Sequence, residues 1–322
     1  MLSFFKSQQP LTFVAFILFF IAIKIPFLFI TTPDIAPIQN LWGIEALLSN
    51  NSTLHFLLAQ ISLLAQALWL NRMFHQADYH EGSSWIPAIY YVLLSSLIPQ
   101  FNVFSMYTIL NFILLMLFYT FIHITAKENA RMECFNAGVL GGLLIVLNVN
   151  LVFIFLFLLL ILYAIKSFRF NDYIVLFFGM IFPIYVALGI SYLADFSLDV
   201  DALQPSNFFL LTIHYHLFNL ICLIMAAVYL LFSFISMRGY LYSVSFKRRK
   251  NLNMLIFLLI GLSISVAFSK KLDETAFSLL FIPATIFLTL LMLRIRKKQI
   301  GEILNAIFVI VIFVTNWIRV FS

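Results

Sequence analysis

Charge is what this sequence has least of: 13 acidic and 19 basic side chains, 10% of 322 residues. With 63% of residues apolar, 39 of them Phe, that scarcity excludes a soluble globular fold, because no soluble core could hide so much hydrocarbon. Cysteine is nearly absent. Cys134 beside a loop and Cys222 within an apolar run support neither a disulfide framework nor a thiolate metal site. There is no phosphate-binding loop, no Gly-x-Ser-x-Gly and no Cys-x-x-Cys, so the familiar signatures of soluble chemistry are missing. β-Barrel alternation is absent as well, and no insertion is long enough to form a soluble domain.

What is present is a succession of apolar runs. A membrane span needs about 20 mostly apolar residues, and backbone groups in hydrocarbon must be satisfied within the segment, so these runs read as helices. They fall near 11–31, 53–70, 86–98, 103–124, 136–165, 173–193, 208–236, 254–268, 277–293 and 303–319. The expected fold is therefore all-α, a polytopic integral membrane helix bundle forming one domain over 1–322. The first run follows Lys6 and Pro10 without a small-residue cleavage site and reads as an uncleaved helix.

Residues 136–165 carry no charge in thirty positions. As one helix they would extend about 45 Å, against a hydrocarbon core of about 30 Å. If they form a hairpin turning at Asn148-Val149-Asn150, the cytoplasmic side holds Lys6, Arg72, Lys127, Arg131, Lys166, Arg169, Arg238, Lys247, Arg248, Arg249, Lys250, Arg294, Arg296, Lys297 and Lys298. That leaves three basic residues outside, Lys270, Lys271 and Arg319, with Lys24 within the membrane. A single crossing turns the tally to seven inside and eleven outside, against the rule that short cytoplasmic loops retain Lys and Arg. The expected topology has eleven spans in a bacterial inner membrane, with the N-terminus cytoplasmic and the C-terminus periplasmic.

This topology sends Asp34, Glu45, Asp195, Asp199, Asp201, Asp273 and Glu274 outward, with His55, His214 and His216 near outer helix ends. In the first outer loop Ile38, Leu41, Trp42, Ile44 and Leu48 recur near helical spacing, as in a short helix lying in the interface. Two readings stand for Asp34: a turn residue after Pro33, or a carboxylate held at the membrane surface as general base or metal ligand. Two also stand for Lys24, which lies two residues before Pro26: a snorkelling or structurally paired cation, or a contact for an anionic lipid phosphate.

His214 and His216 point about 200° apart on a helix and cannot share one ion, so no zinc site is expected there, while Asp195, Asp199 and Asp201 read as a solvated loop with divalent-ion binding as the alternative. The run Lys247-Arg248-Arg249-Lys250 is a topology determinant resting on acidic headgroups, and no nucleic-acid partner follows from it. Gly138 and Gly142, with Gly141, allow another helix close approach. Gln60, Gln66, Asn111 and Asn219 are candidate hydrogen-bond partners between helices.

The segment FNAGVLGGLLIVLNVNLVFIFLFLLLILYAIKSFRFNDYIVLFFGMIFPIYVALGISYL (135–193) resembles the central portion of a family of Phe-rich integral membrane proteins of Bacteroidetes-type bacteria. The layout of KIPFLFITTPD (24–34), the interfacial helix and the short paired helices in 86–117 also resembles polyprenyl-phosphate-sugar-dependent membrane glycosyltransferases of the GT-C type. That second resemblance implies an outward-facing site. In it Asp34 would be the catalytic carboxylate and Asp195 a second acid, while Lys24 and His214 would contact the phosphate of a lipid-linked substrate. It names no cofactor. The competing classes are a transporter or flippase, which calls for discontinuous helices and polar groups deep in the membrane, and a non-catalytic component of an envelope assembly. Membrane lipids are the one partner that composition itself implies.

Overall fold

A computed structural model describes residues 5, 9–29, 52–80, 82, 84–127, 129–166, 169–193, 217–241, 244–268, 274–295 and 298–321, and every regular element among them is helical. Eleven α-helices succeed one another: α1 (Pro10–Lys24), α2 (Ser52–Gln76), α3 (Ile86–Leu94), α4 (Met106–Ala126), α5 (Arg131–Leu147), α6 (Ile154–Ile165), α7 (Phe170–Leu193), α8 (Leu217–Leu241), α9 (Phe246–Ala267), α10 (Phe281–Arg294) and α11 (Lys298–Phe321). Tighter 3-10 turns interrupt the order at Ile25–Leu28, Pro99–Asn102, Val149–Phe153 and Glu274–Leu280. Among the described residues seven stretches are long and apolar enough to cross a membrane: Pro10–Leu28, Met106–Ala126, Phe170–Leu193, Asn219–Met237, Phe246–Ala267, Glu274–Arg294 and Gln299–Val320. The others are short, as α3, α5 and α6 are, or carry polar ends, as α2 does with Asn71, Arg72, His75 and Gln76.

The surface is inverted relative to a protein in water. Along α11 the residues Ile300, Ile303, Ile307, Ile310, Val314 and Ile318 are exposed at helical spacing, while Asn305, Thr315 and Asn316 are buried. A helix facing water buries the apolar stripe instead; an exposed apolar stripe, with asparagines and a threonine turned inward beside Phe308 and Ile312, suits a lipid surround. At the centre lie α3 and the greater part of α10, buried on all sides, with α2 packed on α3 and α8 packed on α10.

The charge-free stretch 136–165 does turn back on itself. Helix α5 ends at Leu147, the Asn148 side-chain oxygen accepts the Asn150 N–H at 3.1 Å, and the chain continues through a 3-10 turn into α6. Beyond the two ends, Arg169 donates to the Asn129 side chain. Helix α6 then packs along α9, and Phe153 meets Phe268.

The glycine pair finds its partner in α7. A Cβ on Gly138 would stand 2.2 Å from the Leu176 carbonyl oxygen, and one on Gly142 would stand 2.3 Å from that of Met180. The approach is mutual, because a Cβ on Gly179 would lie 2.4 Å from the Phe135 carbonyl oxygen. Backbones this close give the dense van der Waals contact that drives helix pairing in lipid.

Two expected helices end differently. The run 86–98 stops at Leu94, where the Ser95 and Ser96 hydroxyls both donate back to the Val92 carbonyl at 2.9 and 2.7 Å. Local side-chain bonds of this kind compete with the helical ladder, and Pro99 then restarts the chain as a 3-10 turn. Likewise α1 ends at Lys24 and tightens into Ile25–Leu28, so Pro26 begins a new turn rather than kinking a continuing helix.

Candidate functional site

The polar core gathers at the point where α3 stops. A helix leaves its last carbonyls without intrahelical partners, and in hydrocarbon each must be bonded by protein. The last four of α3, Tyr91 to Leu94, are bonded locally by the Ser95, Ser96 and Leu97 N–H groups and the two serine hydroxyls, and the next three carbonyls are bonded by side chains from distant segments. Lys24 Nζ donates to the Ser95 carbonyl at 3.2 Å, Asn316 Nδ2 to that of Ser96 at 2.9 Å, and Arg319 Nη1 to that of Leu97 at 3.1 Å. The site is favourable for cations as well, since a helix C-terminus carries partial negative charge worth about 0.3–1 kcal/mol to each, up to about 2 when partly buried.

Lys24 is only 4% exposed. Besides the Ser95 carbonyl it reaches the Ser95 hydroxyl at 2.9 Å and the Asn102 side-chain oxygen at 2.6 Å, and it lies 5.6 Å from the centre of the Phe27 ring. All three ammonium protons therefore have protein acceptors. Arg319 is shared among the Leu97 carbonyl, the Asn316 side-chain oxygen at 2.8 Å and the Cys222 sulfur at 3.9 Å. Cys222 in turn contacts the Thr315 hydroxyl at 3.5 Å, and Asn219 donates to the Glu274 carboxylate at 3.0 Å.

A second polar group lies beside this one, on the other end of the same 3-10 turn. A cavity of about 10 Å³, room for one water-sized occupant, is lined by Gln100, Ser105, Thr108, Asn111, Thr275 and Ser278, with Leu63, Phe101 and Phe281 completing the wall. The Gln100 Oε1, Asn111 Oδ1, Thr275 Oγ1 and Ser278 Oγ atoms are buried without a hydrogen-bond partner. Around it the packing is well tied. Tyr91 donates to Gln66 Oε1 at 2.5 Å and Gln66 Nε2 donates to the Thr108 carbonyl at 2.8 Å, so α2, α3 and α4 are joined by one amide.

Of the residues singled out in the sequence, Lys24 lies in this core, bound to Ser95 just past the end of α3 and to Asn102. Asn111 lines the cavity, Gln66 and Asn219 bridge segments, and both polar atoms of Gln60 are buried without partners. Asp34, Asp195 and His214, with Glu45, Asp199, Asp201, His216 and the interfacial helix, lie outside the described residues. Among the described residues no His, Cys, Asp or Glu cluster could hold a metal ion. Sequence reading missed Asn102, Asn316 and Arg319 as partners of the broken helix, and the hydroxyls of Ser105, Thr275 and Ser278. For Asn102, Ser105, Thr275 and Ser278 the signal was polar residues recurring where apolar runs meet Pro99 or precede α10, and for Asn316 and Arg319 a polar pair at helical spacing late in the apolar run of α11.

The architecture is that of a membrane-embedded helical bundle. Comparison with protein-family models, with curated proteins and with solved structures returns no match.

Proposed function

We propose that the chain is an inner-membrane protein of eleven spans, with a cytoplasmic N-terminus and a periplasmic C-terminus, that moves a solute through its polar core. One observation carries this reading: α3 breaks off inside the bundle, and an oxygen-lined cavity lies where its continuation meets the 3-10 turn before α10. Transporters place solute and ion sites at such discontinuous helices, because irregular backbone is tolerated at membrane depth only where protein or a cavity satisfies it. The Lys and Arg tally supports the orientation.

The test needs no knowledge of the solute. Cys134 and Cys222 are replaced by Ala, a single cysteine is placed at Asn111 or Ser278, and membrane-impermeant thiol reagents are applied from each side. Labelling from both sides, in alternation, is the expected result; access from one side alone or from neither overturns transport.

A second reading, glycosyl transfer from a lipid-linked donor, draws support from Lys24, buried at the helix end that leads within ten residues to Asp34. In that scheme Asp34 activates an acceptor hydroxyl, Asp195 is the second acid, and Lys24 and His214 take the leaving phosphate. The full engagement of Lys24 by Ser95 and Asn102 counts against its part in it. Asp34→Asn discriminates: loss of the deletion phenotype's complementation at normal protein level favours transfer, whereas full complementation removes it. A component of an envelope assembly would tolerate that substitution too, but would give no two-sided labelling.

A further inference from the structure

We infer that the cavity between the Pro99–Asn102 turn, α4 and the Glu274–Leu280 turn is a binding site for a monovalent cation of sodium size. Six oxygen-bearing side chains line it, and neither sulfur nor imidazole does. Asn111 is 2% exposed, Thr275 5% and Ser278 7%, and each of these lining residues, like Gln100, carries a buried side-chain oxygen without a partner. Buried polar atoms are almost always bonded in folded proteins, so four such atoms around one hole call for a common ligand.

Hard oxygen donors select hard cations. Divalent ions of that type are usually held by carboxylates, and the lining has none, whereas amide and hydroxyl oxygens suit a singly charged ion. An interior of about 10 Å³ admits one stripped ion and excludes a hydrated one. Glu274, which directly precedes Thr275 on the same 3-10 turn, is held by Asn219 and interacts with Arg319, so only a share of its charge is left to offset the ion. Lys24, bound to Asn102 on the same turn that carries Gln100, opposes a second positive charge, so the ion is expected to bind weakly. A water molecule could bond the same four atoms without charge, and salt identity separates the two.

The experiment is thermal unfolding of the purified full-length chain in detergent, in sodium, potassium and choline chloride at equal ionic strength. A ligand bound only by the folded state raises the midpoint in a saturable way. The expected result is a rise specific to sodium that saturates, and that shifts at least tenfold to higher concentration in Asn111→Leu and Ser278→Ala. Equal midpoints in the three salts would mean a water site and overturn the inference, as would an undiminished sodium increment in both variants. If Asn111→Leu does not fold, Thr275→Val removes one oxygen at constant shape and serves in its place. The outcome is separate from that of the labelling test: a sodium-specific rise without two-sided access leaves a structural ion, and two-sided access without the rise leaves transport by other means.

Discussion

Arg169 Nη1 donates to Asn129 Oδ1 at 3.3 Å, joining the residues just beyond the two ends of a charge-free stretch. Thirty residues of continuous helix would hold those ends about 45 Å apart, so the contact requires the chain between them to reverse. Single cysteines at Asn129 and Arg169 are expected to react with impermeant reagent from the same side of the membrane, and a cysteine at Asn150 from the opposite side. Reaction of all three from one side would remove the hairpin as a pair of spans.

Gly138 offers the most direct test of packing. Ala there must displace the α7 backbone, because its Cβ would stand 2.2 Å from the Leu176 carbonyl oxygen, and overpacking of this kind costs about 1–3 kcal/mol. Gly189 has nothing within 4 Å of its added Cβ, so Gly189→Ala is expected to be neutral or mildly stabilising, as Ala is the better helix former. Thermal midpoints of the two variants in detergent provide the comparison.

Lys24→Met strips a donor from the Ser95 carbonyl and hydroxyl and from the Asn102 side chain, all in a medium that offers no water. Leaving buried acceptors unsatisfied costs about 1–3 kcal/mol, and the expected readout is a lower yield of monodisperse protein by fluorescence-detected gel filtration. A variant of normal yield and stability that nonetheless fails to complement a deletion would return Lys24 to a direct role in the activity.

Two ion pairs should behave in opposite ways. Lys166 and Asp172 meet at 2.7 Å with side chains only 10% and 5% exposed, so Asp172→Asn leaves a buried ammonium unpaired and costs about 3–5 kcal/mol. Lys247 and Asp78 meet at 3.0 Å, half exposed, and Asp78→Asn should change stability by less than about 0.5 kcal/mol. Unfolding of both variants at low and high salt checks the contrast.

The hairpin at Asn148 and the close approach at Gly138 and Gly142 were legible in the sequence, because each rests on local features: charge bookkeeping in short loops, and small residues at helical spacing. The end of α3 was harder to see. Tyr-Tyr-Val-Leu-Leu-Ser-Ser-Leu-Ile is apolar throughout save for two serines, and what stabilises the break arrives from Lys24, Asn316 and Arg319, each about 70 or more positions away along the chain. Lone hydroxyls such as Thr275 and Ser278 have no spacing signature, so their convergence on Gln100 and Asn111 is visible only in three dimensions. Lys24 was recognised as unusual, since a cation in an apolar run is conspicuous, but its partners were not.

The hydrogen bonds from Asn316 and Arg319 also impose an order on biogenesis. Ser96 and Leu97 leave the ribosome some 220 residues before the side chains that will cover their carbonyls. Until α11 emerges those two carbonyls lack these partners, so a helix made some 220 residues later is the one that seals the middle of the protein.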